Sequence, residues 1–128
     1  MNCVKFEGKV ITGKGDGKKY VSLPWVKQQM EDRLGFTPYL GTLNLQLTKE
    51  SVLQKKLLKK EKSKIIYPEE GYCTGLLFDA YVKGIKCAVV APKIEDYPRS
   101  VLELIAAMNL RKTLKLEDGD TVSVWVKI

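Results

Sequence analysis

Hydrophobic and polar residues alternate with a period of two along several short segments of the chain. In the first of them, Lys5, Glu7 and Lys9 are separated by apolar or small residues, as in a half-buried strand. Two later apolar stretches are separated only by Lys83-Gly84, which is typical of a hairpin. The strands predicted in this way cover residues 3–11, 41–47, 72–82, 85–91 and 121–128. About six strands are expected in all.

Apolar residues recur every four positions at Val26, Met30 and Leu34, which predicts a short helix at about 24–34, ended by Gly35. A second short helix is expected at about 101–107. Ser100 and Glu103 have the spacing of a capping box for the second helix. Because the strands do not alternate with long helices, a doubly wound sheet is excluded. The favoured fold is mainly β, a small closed barrel with short helical excursions.

Length and composition indicate one globular domain over residues 1–128, with 45 % hydrophobic and 29 % charged residues. No apolar run approaches the ~18 residues of a membrane span. The first ten residues mix charges with apolar positions, unlike a signal peptide. We therefore expect a cytoplasmic protein that does not associate with a membrane.

The chain has no histidine, which excludes histidine bases and histidine-bound zinc. Its three cysteines, Cys3, Cys73 and Cys87, are far apart and form no CxxC motif. They are more typical of small core residues than of a disulfide framework or thiolate site. Any metal is therefore expected to be a hard, oxygen-bound ion such as Mg²⁺.

The net charge of +7 is concentrated in one segment, because residues 49–64 hold seven lysines and two glutamates. This segment is expected to form a surface helix or excursion, either simply solvated or facing a phosphate-rich partner. A small basic RNA-binding barrel is the alternative function, and it would combine these lysines with aromatic residues such as Trp25, Tyr39 or Tyr97. The strands lack regular basic and aromatic interleaving, so nucleic acid is not the favoured partner.

A glycine-rich loop is predicted over residues 13–20, with three glycines and three lysines. It is not a P-loop, since Gly15 stands where the Mg²⁺-binding hydroxyl is required and no helix is predicted directly behind Lys14. The dinucleotide fingerprint fails for the same lack of a helix. Such a loop could bring backbone N–H groups and lysine charge to phosphate oxygens, or could be an ordinary turn.

The strand at 41–47 places Leu43, Leu45 and Leu47 on one face and Thr42, Asn44 and Gln46 on the other. Side-chain oxygens of the first two polar residues lie about 6–7 Å apart along such a strand and can converge on one point. Two neutral oxygens suit an Mg²⁺ ion that brings phosphate oxygens and waters as further ligands. An ordinary polar outer face is the other interpretation.

Taken together, the order of motifs resembles the archaeal CTP-dependent riboflavin kinase family. The resemblance rests on GKGDGKKY, on SLP followed by LGFTPYLGTLNL, and on the late VVAPK, LELIA and LEDGDTV stretches, from about Gly8 to Val124. The lysine-rich segment matches least. The resemblance implies a six-stranded cradle-loop barrel that transfers the γ-phosphate of CTP to the 5′-hydroxyl of riboflavin, giving FMN and CDP.

The resemblance also implies roles for particular residues. Thr42 and Asn44 would hold Mg²⁺, and Glu103 would contact the flavin and is the candidate base in a chain without histidine. Family members often carry Thr eight residues before this acid, where Glu95 stands here as a further flavin-contact candidate. The expected nucleotide-binding residues are Lys14, Gly15, Asp16, Gly17, Lys18, Lys19, Met108, Asn109, Leu110 and Arg111.

The kinase interpretation requires no partner chain, so we expect a monomer. An interaction barrel of the transcription-regulator kind, which would normally be an obligate dimer, is a third interpretation of the same fold.

Overall fold

The computed structural model describes residues 2–93 and 97–128, which form seven strands and four helices. The strands are β1 (Cys3–Ile11), β2 (Leu43–Leu47), β3 (Lys64–Ile66), β4 (Gly75–Val82), β5 (Ile85–Pro92), β6 (Val101–Ala106) and β7 (Thr121–Lys127). The helices are α1 (Asp16–Ser22), α2 (Pro24–Leu34), α3 (Lys49–Gln54) and α4 (Leu110–Thr113), with single 3₁₀ turns at Lys55–Leu57 and Lys60–Lys62.

Six of the strands close into an antiparallel barrel in the order β4-β5-β6-β2-β1-β7. Closure comes from β7 returning to β4, where Val126 pairs with Ala80 and Trp125 with Tyr81. The short strand β3 pairs with the other half of the same edge of β4. The predicted fold class, mainly β with a six-stranded barrel and short helices, is confirmed.

The hydrophobic core has two layers, one inside the barrel and one between the barrel wall and helices α1 and α2. Phe6, Phe78 and Val124 belong to the inner layer. Leu77 and Met30 belong to the outer layer, one from β4 and one from α2. Strand β4 is therefore apolar on both faces, which explains why its sequence does not alternate cleanly.

The three cysteines are free thiols. Cys87 is buried inside the barrel, as expected for a small core residue, whereas Cys3 and Cys73 are only half-buried. Burial raises the pKa of the Cys87 thiol to about 12, which makes it a poor nucleophile.

The predicted helix at 101–107 is wrong, because Val101–Ala106 is strand β6. The segment is hydrogen-bonded on both edges, to β2 on one side and β5 on the other. Leu102 and Leu104 face the barrel interior, while Ile105 packs in the outer layer. Burial on both faces hides the period of two, and the apparent capping box of Ser100 and Glu103 caps no helix.

The predicted loop at 13–20 is correct only at its start, because α1 begins at Asp16. Gly15 is the N-cap residue and has φ of +87°, a left-handed conformation that glycine adopts readily. A helix therefore does open behind the glycines, contrary to the prediction, although Gly15 still lacks the hydroxyl of a P-loop. Helix α2 and the β4–β5 hairpin were predicted correctly, whereas β3 and α4, of three and four residues, were not predicted.

Within the described residues, no helix is both long and apolar enough to cross a membrane.

Candidate functional site

A cleft of about 610 Å³ lies on the outer face of the barrel wall, beneath the chain that joins β1 to α1. The connecting chain from Thr12 to Lys18 forms one side of the cleft, and Tyr97 and Pro98 lie on another. Thr42, Asn44 and Glu103 contribute polar side chains from the barrel wall. The cleft is therefore the place where the main sequence-predicted candidates meet.

Strand pairing brings these polar side chains together. In the antiparallel register, Asn44 of β2 lies opposite Glu103 of β6 and Ile11 of β1. Because Leu43 and Leu45 fill the barrel, Thr42 and Asn44 face outward, as the alternation predicted. Glu103 faces outward for the same reason, between two leucines that face inward.

Glu103 accepts hydrogen bonds on both of its carboxylate oxygens. The Thr42 hydroxyl donates to Oε2 at 3.1 Å, and the Tyr97 hydroxyl donates to Oε1 at 2.5 Å. The Asn44 amide nitrogen lies 3.4 Å from the Thr42 hydroxyl oxygen, a long contact at most. Two donors from different parts of the fold thus fix one carboxylate beside a hydroxyl and an amide.

Tyr97 was not among the site residues predicted for the kinase. The sequence suggested it only as an aromatic residue for the RNA-binding alternative. Burial raises its pKa well above the ordinary value, and its hydrogen bond to Glu103 and the charge of that carboxylate add to the rise. The phenol therefore stays protonated and can act as a donor. No local sequence pattern predicts this role, because Tyr97 lies in a loop six residues before Glu103.

Two glycines allow the loop to lie directly on these side chains. A Cβ at Gly17 would lie 2.5 Å from Glu103 Oε2 and 2.6 Å from Thr42 Oγ1. A Cβ at Gly13 would lie 2.5 Å from the Asn44 amide nitrogen. A side chain at Gly13 or Gly17 would have to displace the polar side chains of the barrel wall, whereas Gly15 is favoured by its left-handed backbone conformation.

Among the charged residues of the loop, Lys14, Asp16 and Lys18 line the cleft and are exposed. Lys19 is also exposed but does not line it. The cleft therefore has two solvated lysines at its mouth and one carboxylate that an anionic ligand would have to avoid.

The stretch Met108-Asn109-Leu110-Arg111 does not line this cleft. Leu110 is buried in the barrel core, while Asn109 caps α4 by accepting a hydrogen bond from the Lys112 backbone N–H at 3.1 Å. Asn109 and Arg111 lie beside a separate hollow of about 380 Å³. The nucleotide-binding role of this stretch stays a prediction, and the buried Leu110 side chain is unavailable for it.

Arg111 is nevertheless connected to the cleft through Asp118. Its guanidinium lies 2.7 Å from an Asp118 carboxylate oxygen, and the same carboxylate accepts a hydrogen bond from the Thr12 hydroxyl at 2.8 Å. The Thr12 hydrogen bond and the Arg111 guanidinium lower the pKa of Asp118. An exposed ion pair thus ties the start of the glycine loop to α4.

Glu95, the other flavin-contact candidate, lies outside the described residues. The three aromatic residues considered for RNA binding all make intramolecular contacts, and the Tyr39 hydroxyl lies 3.4 Å from the Asn109 amide nitrogen. Trp25 packs edge-on against Tyr72, with ring centroids 5.2 Å apart, and Tyr97 is held by Glu103. Tyr39 is 44 % exposed. These contacts, taken from the part of the chain that the structure describes, do not favour the RNA-binding alternative.

Comparison with known sequences adds independent information. Residues 10–126 match a family model that is named for CTP-dependent riboflavin kinases and described as a domain of unknown function, DUF120. The chain is also similar to proteins named riboflavin kinase from three archaea. It is 39 % identical to that of Methanococcoides burtonii over 97 % of this chain and 57 % of that protein. It is 39 % identical to that of Archaeoglobus fulgidus over 96 % of this chain and 54 % of that protein.

The third protein, from Ignicoccus hospitalis, is 39 % identical over 96 % of this chain and 71 % of that protein. The chain thus spans little more than half the length of the first two relatives and a larger share of the third.

Proposed function

The chain belongs to the CTP-dependent riboflavin kinase family, and we propose that it transfers the γ-phosphate of CTP to the 5′-hydroxyl of riboflavin, giving FMN and CDP. The names of its relatives support riboflavin as the acceptor, and the name of the family model supports CTP as the donor. The observation that carries the proposal is the Glu103 carboxylate, held by two hydroxyl donors under a glycine loop. We also propose that the enzyme is a cytoplasmic monomer, as the sequence predicts.

In this reaction the riboflavin 5′-oxygen bonds to the γ-phosphorus as the bond from that phosphorus to the β–γ bridging oxygen breaks. The hydroxyl proton must leave, and in this proposal the Glu103 carboxylate, which lines the cleft, accepts it. Tyr97 and Thr42 hold the carboxylate without using all of its acceptor capacity, because two carboxylate oxygens offer about four lone-pair sites. Phosphoryl transfer depends mainly on positioning and charge stabilisation, so this orientation is a large part of the catalysis.

The glycine loop would bind the nucleotide phosphates. Gly13 and Gly17 let the loop lie against the barrel wall, which leaves backbone N–H groups free to approach phosphate oxygens. Lys14 and Lys18, both exposed at the cleft, would share the negative charge that develops during transfer.

The donor atoms beside the loop fit a hard divalent cation. The Thr42 hydroxyl and Glu103 carboxylate lie 3.1 Å apart beside the Asn44 amide, and a Cβ at Gly13 or Gly17 would fill the space next to them. Among the described residues there is no cluster of three or more His, Cys, Asp or Glu side chains, so the protein alone offers few charged ligands. The side-chain oxygens of Thr42 and Asn44 suit an Mg²⁺ ion whose other ligands are phosphate oxygens of the nucleotide. When bound, the ion would neutralise charge on the phosphate oxygens.

The direct test is incubation of the purified chain with riboflavin, Mg²⁺ and either CTP or ATP, with FMN separated from riboflavin by chromatography with fluorescence detection. We expect FMN with CTP and much less with ATP. FMN formed equally well with both nucleotides would contradict CTP specificity alone. No FMN with any nucleoside triphosphate, from protein shown to be folded, would overturn the kinase proposal and direct attention to salt-dependent RNA binding.

A second prediction concerns the close approach at Gly17. Gly17→Ala adds a methyl group 2.5 Å from Glu103 Oε2 and 2.6 Å from Thr42 Oγ1, so either these two side chains or α1 must shift. We expect kcat/KM for CTP to fall about tenfold or more, although alanine favours the helix by up to about 1 kcal/mol.

The matched control for this substitution is Gly71→Ala. Gly71 has φ of +87° and open space around its Cβ position, so alanine there strains the backbone by about 1–2 kcal/mol without filling the cleft. It should lower the melting temperature and leave kcat/KM unchanged. A Gly17→Ala enzyme with wild-type kcat/KM would show that the loop does not act through this contact.

A further inference from the structure

One lysine of the lysine-rich segment differs from its neighbours. Lys55 is half-buried and donates a hydrogen bond from its ammonium group to the Val101 carbonyl oxygen at 2.6 Å, at the start of β6. Lys56, Lys59 and Lys60 are exposed. Lys55 therefore faces inward at the start of β6, and Lys64, at the end of the segment, is also half-buried and paired with Asp79.

Local structure directs Lys55 inward. The Thr48 hydroxyl accepts a hydrogen bond from the Ser51 backbone N–H and so caps α3, while the Ser51 hydroxyl accepts one from the Glu7 backbone N–H at 2.8 Å. These bonds attach α3 to β1. Lys55 begins the 3₁₀ turn that follows α3, which places its side chain over the barrel wall.

The Lys55 ammonium group also lies next to the hydrogen-bond network of the cleft. Its nitrogen is 5.7 Å from the centre of the Tyr97 ring, and the Tyr97 hydroxyl donates to Glu103. Lys55 and Tyr97 line a hollow of about 320 Å³ that shares Pro92, Tyr97, Pro98 and Val101 with the main cleft. Burial lowers the pKa of Lys55, and the negative charge of Glu103 opposes this effect.

We propose that Lys55 is a positioning residue for phosphoryl transfer, which holds the Val101 carbonyl and the Tyr97 ring so that Tyr97 keeps its hydrogen bond to Glu103. The inference rests on the proposed function, because the chemical consequence is the orientation of the candidate base. Lys55 does not line the main cleft itself, and it contacts two residues that do, Val101 and Tyr97. Its loss should therefore change the rate of the transfer step more than the binding of nucleotide, which is assigned to the glycine loop.

The test compares Lys55→Met with Lys56→Met in the full chain, using FMN formation from riboflavin and CTP. Methionine keeps the length and apolar stem of lysine and removes the charge and donors. We expect Lys55→Met to lower kcat about tenfold, with KM for CTP within about twofold of wild type. Lys56→Met should match wild type in both constants, and Lys55→Arg, which restores a cation, should recover part of kcat.

A double-mutant cycle with Tyr97→Phe separates positioning from a general loss of stability. If Lys55 acts through the Tyr97 hydroxyl, adding Lys55→Met to Tyr97→Phe should lower kcat by less than about twofold. A Lys55→Met enzyme that melts at a lower temperature but keeps its kcat would overturn the proposal. So would an equal loss of kcat with and without the Tyr97 hydroxyl.

A spectroscopic measurement tests the contact between Lys55 and Tyr97 without relying on enzyme activity. In protein labelled with ¹³C at tyrosine Cζ, the Tyr97 signal, assigned with Tyr97→Phe, should shift in Lys55→Met and not in Lys56→Met. If Lys55→Met does not fold, Lys55→Gln, which keeps a neutral donor, should give an intermediate kcat and the same kind of shift. If the wild type forms no FMN, the proposed function fails. The Tyr97 signal of Lys55→Met then tests the contact by itself. If that signal is unchanged from wild type, the proposed support of Tyr97 by Lys55 is overturned as well.

Discussion

Replacing Glu103 with glutamine is expected to lower kcat for FMN formation by about 10²-fold or more, with the fold retained. Glutamine has nearly the shape of glutamate but cannot accept the riboflavin hydroxyl proton. It also offers one acceptor oxygen and one NH₂ donor where the structure provides two hydroxyl donors, from Tyr97 and Thr42. One of the two hydroxyls would then face a donor, so the side chain would lose part of its fixed orientation as well.

The measurement is kcat and KM for riboflavin at saturating CTP, together with the melting temperature. Glu7→Gln is a suitable control, because Glu7 lies on the outer surface of β1, 3.9 Å from Lys5 and away from the cleft. It should leave both constants unchanged. A Glu103→Gln enzyme within about threefold of wild-type kcat would show that Glu103 is not the base. An increase in KM for riboflavin alone would assign it to flavin binding.

The alternation of residues 41–47 predicted the outward face of the site correctly. In a strand, successive side chains point to opposite sides, so Leu43 and Leu45 in the barrel require Thr42 and Asn44 on its outer surface. The convergence of these two side chains is a local property of the backbone. It could be predicted from seven residues without knowing what the strand pairs with.

The strand that carries Glu103 could not be predicted in the same way. Val101–Ala106 contains leucine, glutamate and alanine, which favour helices, and both of its faces are largely buried. What makes it a strand is hydrogen bonding to β2 and β5, whose paired residues lie outside the local sequence. Glu103 was therefore predicted as a site residue from the resemblance, but on the wrong secondary structure.

The contributions of Tyr97 and Lys55 are also invisible in local sequence. Tyr97 precedes β6 and Lys55 follows β2 and α3, and the pairing of β2 with β6 brings the two residues together. In the sequence Lys55 is one of seven lysines within sixteen residues. Composition therefore points to a solvated surface, which is correct for exposed neighbours such as Lys56 but misses the inward-facing Lys55.

Asn44→Ala is expected to lower kcat/KM about 10²-fold and to raise the Mg²⁺ concentration needed for half-maximal rate. Alanine removes the side-chain oxygen that would bind the ion but leaves the strand intact, because Leu43 and Leu45 still fill the barrel. The free energy of unfolding should change by no more than about 1 kcal/mol, since the half-buried amide makes only a 3.4 Å contact with Thr42.

Gln46→Ala is the matched control for this prediction. Gln46 lies on the same outward face of β2, two residues further along, is exposed and does not line the cleft. It should keep wild-type kcat/KM and the wild-type dependence on Mg²⁺, with urea unfolding measured for both variants. Asn44→Asp, which retains a side-chain oxygen, should keep more activity than Asn44→Ala once Mg²⁺ is saturating. Wild-type turnover by Asn44→Ala at limiting Mg²⁺ would show that the assignment of Asn44 as a metal ligand is wrong.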